Sequence, residues 1–292
     1  MAATIPYSAK KEDLYFPGRA SNLFLNGLPK FEETLCAEMS RLAYCRCEPD
    51  FAFDRKAIER FLARAGKWSC AFVESEVDPQ CRGFHCLVAT RVDPTKESLA
   101  IVTIRGTDKD DPSDVADDVD IEAVAWEGRG KVHRGFADAL RSVRGDLDEL
   151  LNPIEGKLLY TGHSLGAAMV TLLASVRKPA ALYTFGSPRV GNADFVATLN
   201  GVKSARYVDC CDLVTRLPPE ALGYFHFGQP LYINRSQKIV SGPGTAYILE
   251  DRFCAEEQYL CTYAWHPENV GVRDLADHAP INYVSALTAA EQ

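Results

Sequence analysis

The sequence has 292 residues, of which 47% are hydrophobic and 25% are charged, and its formal net charge at pH 7 is −8. A chain of this size and hydrophobic content can bury a substantial core. The acidic balance argues against a nucleic-acid partner, because neutralising phosphates needs clustered Lys and Arg, and no apolar run reaches the roughly 18 residues of a transmembrane helix.

The N-terminal stretch MAATIPYSAKKEDLYFPGR is interrupted by proline and charged residues before it forms an apolar core of signal-peptide length. We therefore expect a cytoplasmic location, with export by another route left open. No linker, repeat or break in composition divides the chain, which predicts an N-terminal extension over residues 1–30 and a single domain over residues 31–292.

The ten cysteines include no C-x-x-C pair, which argues against a zinc site. Without an export signal, reduced thiols are the default. The even count and the pair formed by Cys254 and Cys261 leave disulfides open if the chain is exported.

The first half of the chain predicts helices over LCAEMSRLAY and DRKAIERFLARAG, then strands over WSCAFVE, FHCLVATR and LAIVTIR, then one helix over HRGFADALRSVRGDLDELL. Beyond it, strands and helices alternate: KLLYTG, a helix from Leu165, ALYTFG, NADFVATLN and SARYVD. Alternation requires crossover connections, so we expect an α/β fold with a mostly parallel central sheet flanked by helices.

Ser164 lies in the segment KLLYTGHSLG, between Gly162 and Gly166. Glycine and serine are common in turns, so this motif alone is a moderate signal. Its position between a buried strand and a helix favours a strained strand-to-helix turn, where a side chain at either glycine would collide with neighbouring backbone. The pattern indicates a nucleophilic serine.

A serine hydroxyl needs a histidine base that is oriented by a carboxylate, and in such sheets these partners follow the serine in the chain. Of the downstream histidines, we favour His278, because it precedes an apolar helical stretch, and we expect His226 and His266 to be structural. For the acid, the candidates are Asp209 at the end of the SARYVD strand and Asp212 in the following loop, and the sequence does not separate them.

Four blocks in order resemble the lipase class 3 family, the fungal-type triacylglycerol lipase group of α/β hydrolases: IRGTD, KVHRGF, TGHSLGAA, and DLVTRLPP followed by GYFHFG and DH. The resemblance spans about residues 35 to 290 and implies an α/β-hydrolase fold with a short lid.

The resemblance also implies the functional residues. It assigns Ser164 as nucleophile, His278 as base and Asp212, rather than Asp209, as the acid. The oxyanion hole would be formed by Thr107 and by the N–H of Leu165. No metal or cofactor is expected. His133 and His163 are expected to be structural, as is Arg105, which could tie loops together through a carboxylate.

The lid position holds residues 108–122, with eight acidic residues against Lys109. Anionic headgroups repel such a segment, so we expect weak interfacial activation. Calcium binding is a lesser alternative, because the segment lacks an EF-hand spacing. Residues 236–273 are expected either to line the acyl pocket or to form a segment packed on the protein surface.

These observations predict a serine carboxylic-ester hydrolase, a lipase or esterase, acting on glycerides or on short- to medium-chain esters. Its partner is a small-molecule or lipid ester substrate, with room for a transient contact with a lipid interface. The enzymatic alternative is a phospholipase A1-type or galactolipid acyl hydrolase. The non-enzymatic alternative is an interaction module that keeps the hydrolase scaffold.

Overall fold

The computed structural model describes residues 5–19, 24, 27–47, 52–75, 84–91, 98–106 and 122–292. The strands are β1 (Trp68–Glu74), β2 (His85–Arg91), β3 (Leu99–Ile104), β4 (Ala123–Ala125), β5 (Lys131–His133), β6 (Lys157–His163), β7 (Ala181–Phe185), β8 (Ser204–Asp209), β9 (Pro230–Ile233) and β10 (Ile239–Ser241). The acidic segment expected to form the lid lies outside the described residues, apart from Glu122.

The α-helices of the described residues are α1 (Lys11–Tyr15), α2 (Glu32–Leu42), α3 (Arg55–Ala63), α4 (Arg134–Ser142), α5 (Arg144–Leu151), α6 (Leu165–Val176), α7 (Ala193–Thr198), α8 (Thr245–Thr262), α9 (Arg273–Ala276) and α10 (Pro280–Ala290). None of them combines the length and apolar character that crossing a bilayer requires.

Eight strands form one sheet in the order β1-β2-β3-β6-β7-β8-β9-β10, while β4 and β5 form a separate hairpin. The strands from β3 to β9 pair in parallel, and the pairs β1–β2, β2–β3 and β9–β10 are antiparallel. The predicted α/β fold with a mostly parallel central sheet is confirmed. The edge pairs are antiparallel because their connections have only ten, seven and five residues, and parallel neighbours need a crossover connection of a dozen or more residues.

The sheet separates two hydrophobic cores. One face packs against α4, α5, α6 and α7, through residues such as Phe136, Leu140, Met169 and Leu172. The other face packs against α2, α3 and α10, through residues such as Leu35, Met39, Ile58 and Leu287. All six residues of β3 are buried, as expected for a strand covered on both sides.

The single helix predicted over HRGFADALRSVRGDLDELL is divided in two. Val143, between α4 and α5, has φ −120° and ψ 6°, outside the helical region. Leu140, Val143 and Leu147 are all buried in the same core. The turn at Val143 thus keeps the apolar stripes of both short helices against the sheet.

The N-terminal segment packs against the C-terminal part of the chain. The Ser8 backbone N–H donates to Asn282 Oδ1 at 2.8 Å, and the Val270 N–H donates to the Ala9 carbonyl at 2.8 Å. The division into an extension over residues 1–30 and one domain over residues 31–292 stays a prediction.

Candidate active site

Ser164 lies at the turn between β6 and α6. Its backbone has φ 58° and ψ −131°, a conformation that non-glycine residues rarely adopt. A Cβ atom at Gly162 would lie 2.5 Å from the carbonyl carbon of Gly166, and one at Gly166 would lie 2.0 Å from the Ile104 carbonyl oxygen. Both glycines are therefore required sterically, as the sequence predicts.

The imidazole of His278 reaches the serine hydroxyl. His278 Nε2 lies 2.9 Å from Ser164 Oγ, and both residues are only 4% exposed. His278 lies in the short connection between α9 and α10, as predicted for the loop that enters the terminal helix. The histidine and the serine are 114 residues apart in sequence.

Asp212 is the carboxylate that contacts His278. His278 Nδ1 lies 3.0 Å from both Asp212 Oδ1 and Asp212 Oδ2. A carboxylate accepts hydrogen bonds, so this pair places the imidazole proton on Nδ1 and leaves Nε2 as the acceptor for the Ser164 hydroxyl. The tautomer set by Asp212 is the one that a general base requires.

Two further donors bind the carboxylate of Asp212, which is fully buried. The Val214 N–H donates to Oδ1 at 2.9 Å, and the Tyr283 hydroxyl donates to Oδ2 at 2.5 Å. Burial and the charge of Asp212 raise the pKa of Tyr283 well above its ordinary value, so the hydroxyl keeps its proton and remains a donor. In the sequence, Tyr283 is one residue of the apolar helical stretch that follows His278.

Gly186 follows β7 and has φ +59°. A Cβ atom there would lie 2.8 Å from Asp212 Oδ2 and 3.2 Å from both His278 Nδ1 and the Tyr283 hydroxyl. Glycine thus leaves the space in which three polar side chains meet. The signal available in the sequence was a glycine directly after the ALYTF strand.

His163 binds the backbone of the loop that carries His278. Its Nε2 donates to the His278 carbonyl at 2.8 Å, and its Nδ1 accepts from the Tyr44 hydroxyl at 2.9 Å. Burial, with a smaller contribution from His278, lowers the pKa of His163 well below its ordinary value. His163 is therefore neutral and has a structural position, as expected.

Asp209 is buried at the end of β8, where its carboxylate has a different partner. Its Oδ1 accepts from the Cys210 N–H at 2.7 Å. Burial, together with the charge of Asp277, raises the pKa of Asp209 well above its ordinary value. The two aspartates that spacing does not separate thus occupy different environments, and of the two it is Asp212 that contacts the imidazole.

Asp277 immediately precedes His278 and joins three parts of the chain. It accepts from the Tyr7 hydroxyl at 2.8 Å, from the Cys211 N–H at 2.9 Å and from Arg273 Nε at 3.0 Å. These bonds connect the N-terminal segment, the approach to Asp212 and α9. The bond to Arg273 is an ion pair between two buried side chains.

The oxyanion positions are described in part. Leu165 is the first residue of α6, so no intrahelical carbonyl can accept its N–H, and the positive end of the helix dipole lies beside Ser164. Thr107 lies outside the described residues, directly after Gly106. A Cβ atom at Gly106 would lie 3.2 Å from Ser164 Cβ, so the chain passes close to the serine at this point.

Three other residues that the sequence singled out have contacts outside the triad. His226 Nε2 donates to the Thr215 carbonyl at 2.8 Å, and the His133 ring stacks on Phe136 with centroids 4.1 Å apart. Arg105 lies over the Phe53 ring at 5.3 Å. Both histidines therefore have packing positions, as predicted.

Two groups of side chains in the described residues have metal-ligating atoms close together: Cys210, Cys211 and Asp277, and Cys211, Glu256 and Asp274. In both, the aspartate already pairs with an arginine, Arg273 for Asp277 and Arg216 for Asp274. A cation would have to displace these arginines, so we assign no metal to either group.

The nine described cysteines are free thiols, including Cys254 and Cys261. Both lie on α8, which accounts for much of the segment 236–273 that sequence analysis left without assigned structure. The thiols of Cys36 and Cys86 are buried, and burial raises their pKa. A raised pKa disfavours the reactive thiolate.

Comparison with known proteins places this geometry in context. The pattern of the family described as lipase (class 3) matches residues 101–222. A lipase II from Rhizopus niveus has a solved structure that aligns with a TM-score of 0.55 and 26% identity, covering 69% of this chain and 79% of that one. The predicted α/β-hydrolase fold is thereby confirmed.

Two curated relatives match in sequence. Secreted mono- and diacylglycerol lipase 1 of Fusarium solani is 40% identical over 107 residues, which is 32% of each chain. Secreted mono- and diacylglycerol lipase A of Penicillium cyclopium is 33% identical over 110 residues, 34% of this chain and 36% of the relative. The matched segment thus spans about a third of the length of these relatives.

The expected cytoplasmic location is wrong. The names of both relatives describe secreted proteins, which points to an extracellular rather than a cytoplasmic location. The expectation failed because the charged residues of the N-terminal stretch argue only against a signal peptide with an apolar core, and that is one route of export among others.

Proposed function

Because this chain belongs to the lipase class 3 family, we propose that it is a serine carboxylic-ester hydrolase that cleaves acyl esters of glycerol. The observation that carries the proposal is the chain of contacts from Ser164 Oγ to His278 Nε2, and from His278 Nδ1 to Asp212. Nucleophile, base and orienting carboxylate have the connectivity that ester hydrolysis needs.

The reaction begins with proton transfer from Ser164 to His278. The serine oxygen attacks the ester carbonyl carbon while Nε2 takes the hydroxyl proton. The imidazolium that forms is stabilised by Asp212, which remains ionised. His278 then gives its proton to the departing alcohol, and the acyl group is left on Ser164. This division of roles follows from the tautomer that Asp212 selects.

The carbonyl oxygen becomes an alkoxide in the tetrahedral intermediate. We assign its stabilisation to the N–H of Leu165 and to Thr107. The start of α6 supports this assignment, because its unpaired N–H groups and the helix dipole favour negative charge beside Ser164. Preorganised donors of this kind are each worth about 10² to 10³ in turnover.

Water completes the cycle by hydrolysing the acyl-enzyme. His278 accepts a proton from the water, which attacks the acyl carbon, and returns that proton to the Ser164 oxygen as the bond to the acyl carbon breaks. The products are a carboxylic acid and free enzyme. Every proton transfer uses Nε2, so the Nδ1–Asp212 contact persists throughout.

The proposed substrates are glycerides or short- to medium-chain esters in uncharged form. The names of the relatives, which describe mono- and diacylglycerol lipases, support a glyceride. The acidic residues between positions 108 and 122 disfavour anionic lipid. Because of the acidic segment, we expect weak activation by emulsified substrate. Because the relatives are named secreted lipases, we expect hydrolysis outside the cytoplasm.

The test is turnover of nitrophenyl esters of increasing acyl length, measured below and above their solubility limit. The wild-type protein should hydrolyse the soluble esters, and Ser164→Ala should reduce kcat by several orders of magnitude. Retained turnover in Ser164→Ala would refute the assignment. A wild-type protein that is inert towards every ester would instead favour the interaction module.

A further inference from the structure

Helix α8 presents large apolar side chains to solvent. Leu249, Phe253 and Leu260 are 61%, 62% and 59% exposed. Their spacings of four and seven residues place them in one stripe along the helix. The opposite side, with Asp251, Ala255 and Tyr259, is buried. The fold therefore uses only one side of α8, and we call its outward row, Leu249, Phe253 and Leu260, the α8 stripe.

An ordered tryptophan adjoins the C-terminal end of the helix. Trp265 is 68% exposed, yet its ring stacks on His266 with centroids 3.7 Å apart, and its Nε1 donates to the Cys261 carbonyl. An indole that is both fixed and exposed is typical of surfaces where an apolar phase meets water. It adds exposed apolar area close to the C-terminal end of α8.

The buried side of α8 rests on the segments that carry two members of the triad. Arg252 Nε donates to the Cys210 carbonyl at 2.7 Å, two residues before Asp212. Arg273, at the start of α9, donates to the Ala255 carbonyl at 3.3 Å, and α9 leads into His278. The α8 stripe thus lies about one helix diameter, roughly 10 Å, from these segments.

The charges of α8 restrict what can cover it. Glu250, Glu256 and Glu257 are exposed, whereas the one basic residue of the helix, Arg252, is half-buried against Cys210. A strongly anionic surface would be repelled. A second copy of the chain would also be disfavoured, because a two-fold interface brings the same carboxylates face to face.

We propose that the α8 stripe docks the protein on the surface of an uncharged or zwitterionic acyl-ester lipid, beside the triad. The proposal rests on the proposed function, since an ester lipid is the substrate that such docking concentrates. Docking raises the local amount of substrate without requiring that a bound enzyme turn over faster. Binding to lipid and interfacial activation are therefore separate properties.

The test measures cosedimentation of the full chain with phosphatidylcholine vesicles and, separately, with phosphatidylglycerol vesicles at low ionic strength. Withdrawing one Leu or Phe side chain from lipid costs about tenfold or more in partition. The double variant Phe253→Ser, Leu260→Ser should bind phosphatidylcholine about 100-fold more weakly. Phe31→Ser, which removes a 51% exposed phenylalanine at the start of α2, should bind as wild type. Thermal unfolding verifies that each variant is folded.

Three results would overturn the proposal: no binding of the wild type to phosphatidylcholine, equal binding by the double variant, or stronger binding to phosphatidylglycerol. If sedimentation velocity shows a dimer of the wild type that is lost in the double variant, the α8 stripe binds a second copy of the chain and the proposal of a lipid is wrong. Failure of the proposed function is distinguishable. It appears as absent turnover of soluble nitrophenyl esters, whereas a failed docking surface leaves that turnover intact.

Discussion

The Tyr283 hydroxyl lies 2.5 Å from Asp212 Oδ2, on the side of the carboxylate that a Cβ atom at Gly186 would reach. Tyr283 belongs to the first turn of α10, and its hydroxyl also accepts from the Asp209 N–H at 3.1 Å. A single phenol therefore fixes the carboxylate of the triad and the end of β8.

Tyr283→Phe should reduce kcat about tenfold and leave KM nearly unchanged, because a hydrogen bond to a charged group is worth about 1.5–3 kcal/mol. Steady-state kinetics on a soluble nitrophenyl ester measures this. Tyr160→Phe is the matched control, since the Tyr160 hydroxyl is buried with no hydrogen-bond partner in the described part of the chain. Equal kcat values for both variants would remove Tyr283 from the positioning network.

Asp212→Asn and Asp209→Asn should differ sharply. An amide at position 212 can hold the imidazole in the wrong tautomer, and in serine triads this costs on the order of 10⁴ in kcat. An asparagine at position 209 keeps an oxygen that accepts from the Cys210 N–H, so Asp209→Asn should retain kcat within about threefold. A larger loss in Asp209→Asn than in Asp212→Asn would reverse the assignment.

Gly186→Ala should lose activity beyond its effect on stability. Alanine in the left-handed region costs about 1–2 kcal/mol, and its methyl group would also contact Asp212 and His278. Gly201→Ala is the control, because Gly201 has φ +85° with nothing within 4 Å of a Cβ atom. Denaturant unfolding should show a loss of stability for both variants, larger for Gly186→Ala because of the clash, and only Gly186→Ala should lower the kcat of the folded protein substantially. A fully active Gly186→Ala would contradict the crowded geometry.

Tyr7→Phe should weaken the link between the N-terminal segment and the His278 loop. Asp277 would lose one of its donors, at a cost of about 1–2 kcal/mol in the free energy of unfolding, and kcat should fall severalfold. Tyr259→Phe removes a comparable bond, the 2.7 Å contact of its hydroxyl with the Val270 carbonyl, away from Asp277. That variant should lose stability without losing kcat. Parallel kcat losses would indicate general destabilisation instead.

His226 should make stability depend on pH. Burial, aided by the charge of Arg206, lowers the pKa of His226 from 6.5 to about 3. The unfolded chain therefore binds this proton near pH 6.5 and the folded chain only near pH 3. Stability is complete above pH 6.5 and is lost as the pH falls towards 3.

The melting temperature of wild type should accordingly fall more between about pH 7.5 and about pH 5 than that of His226→Gln, whose amide can still donate to Thr215 but does not titrate. Melting temperatures that fall in parallel would show that His226 titrates alike in both states.

Short-range features of the site were predictable from sequence. A Cβ atom at Gly162 would meet the backbone of Gly166, so the steric requirement at Gly162 is visible in five consecutive residues. The position of His278 before α10 followed from the apolar spacing of the terminal helix. Both predictions depend on local geometry alone.

Long-range choices were not predictable in this way. Asp209 ends β8 and Asp212 lies three residues later, and what distinguishes them is the contact of Asp212 with His278, 66 residues away. The helical spacing predicts that Tyr283 is buried. It does not distinguish a tyrosine whose hydroxyl binds a buried carboxylate from one that only packs in the core. Helix α8 escaped prediction since its buried stripe includes Asp251 and its solvent side includes Phe253, which obscures the usual periodicity.

The most direct test of the central claim is covalent labelling with a fluorophosphonate, followed by peptide mapping by mass spectrometry. We predict one phosphonyl group on Ser164 in the wild-type protein, the same label in Asp209→Asn, and strongly reduced labelling in His278→Ala, because the hydroxyl then lacks the base that lies 2.9 Å away. A label on another residue, or an unlabelled protein that still hydrolyses esters, would contradict the account.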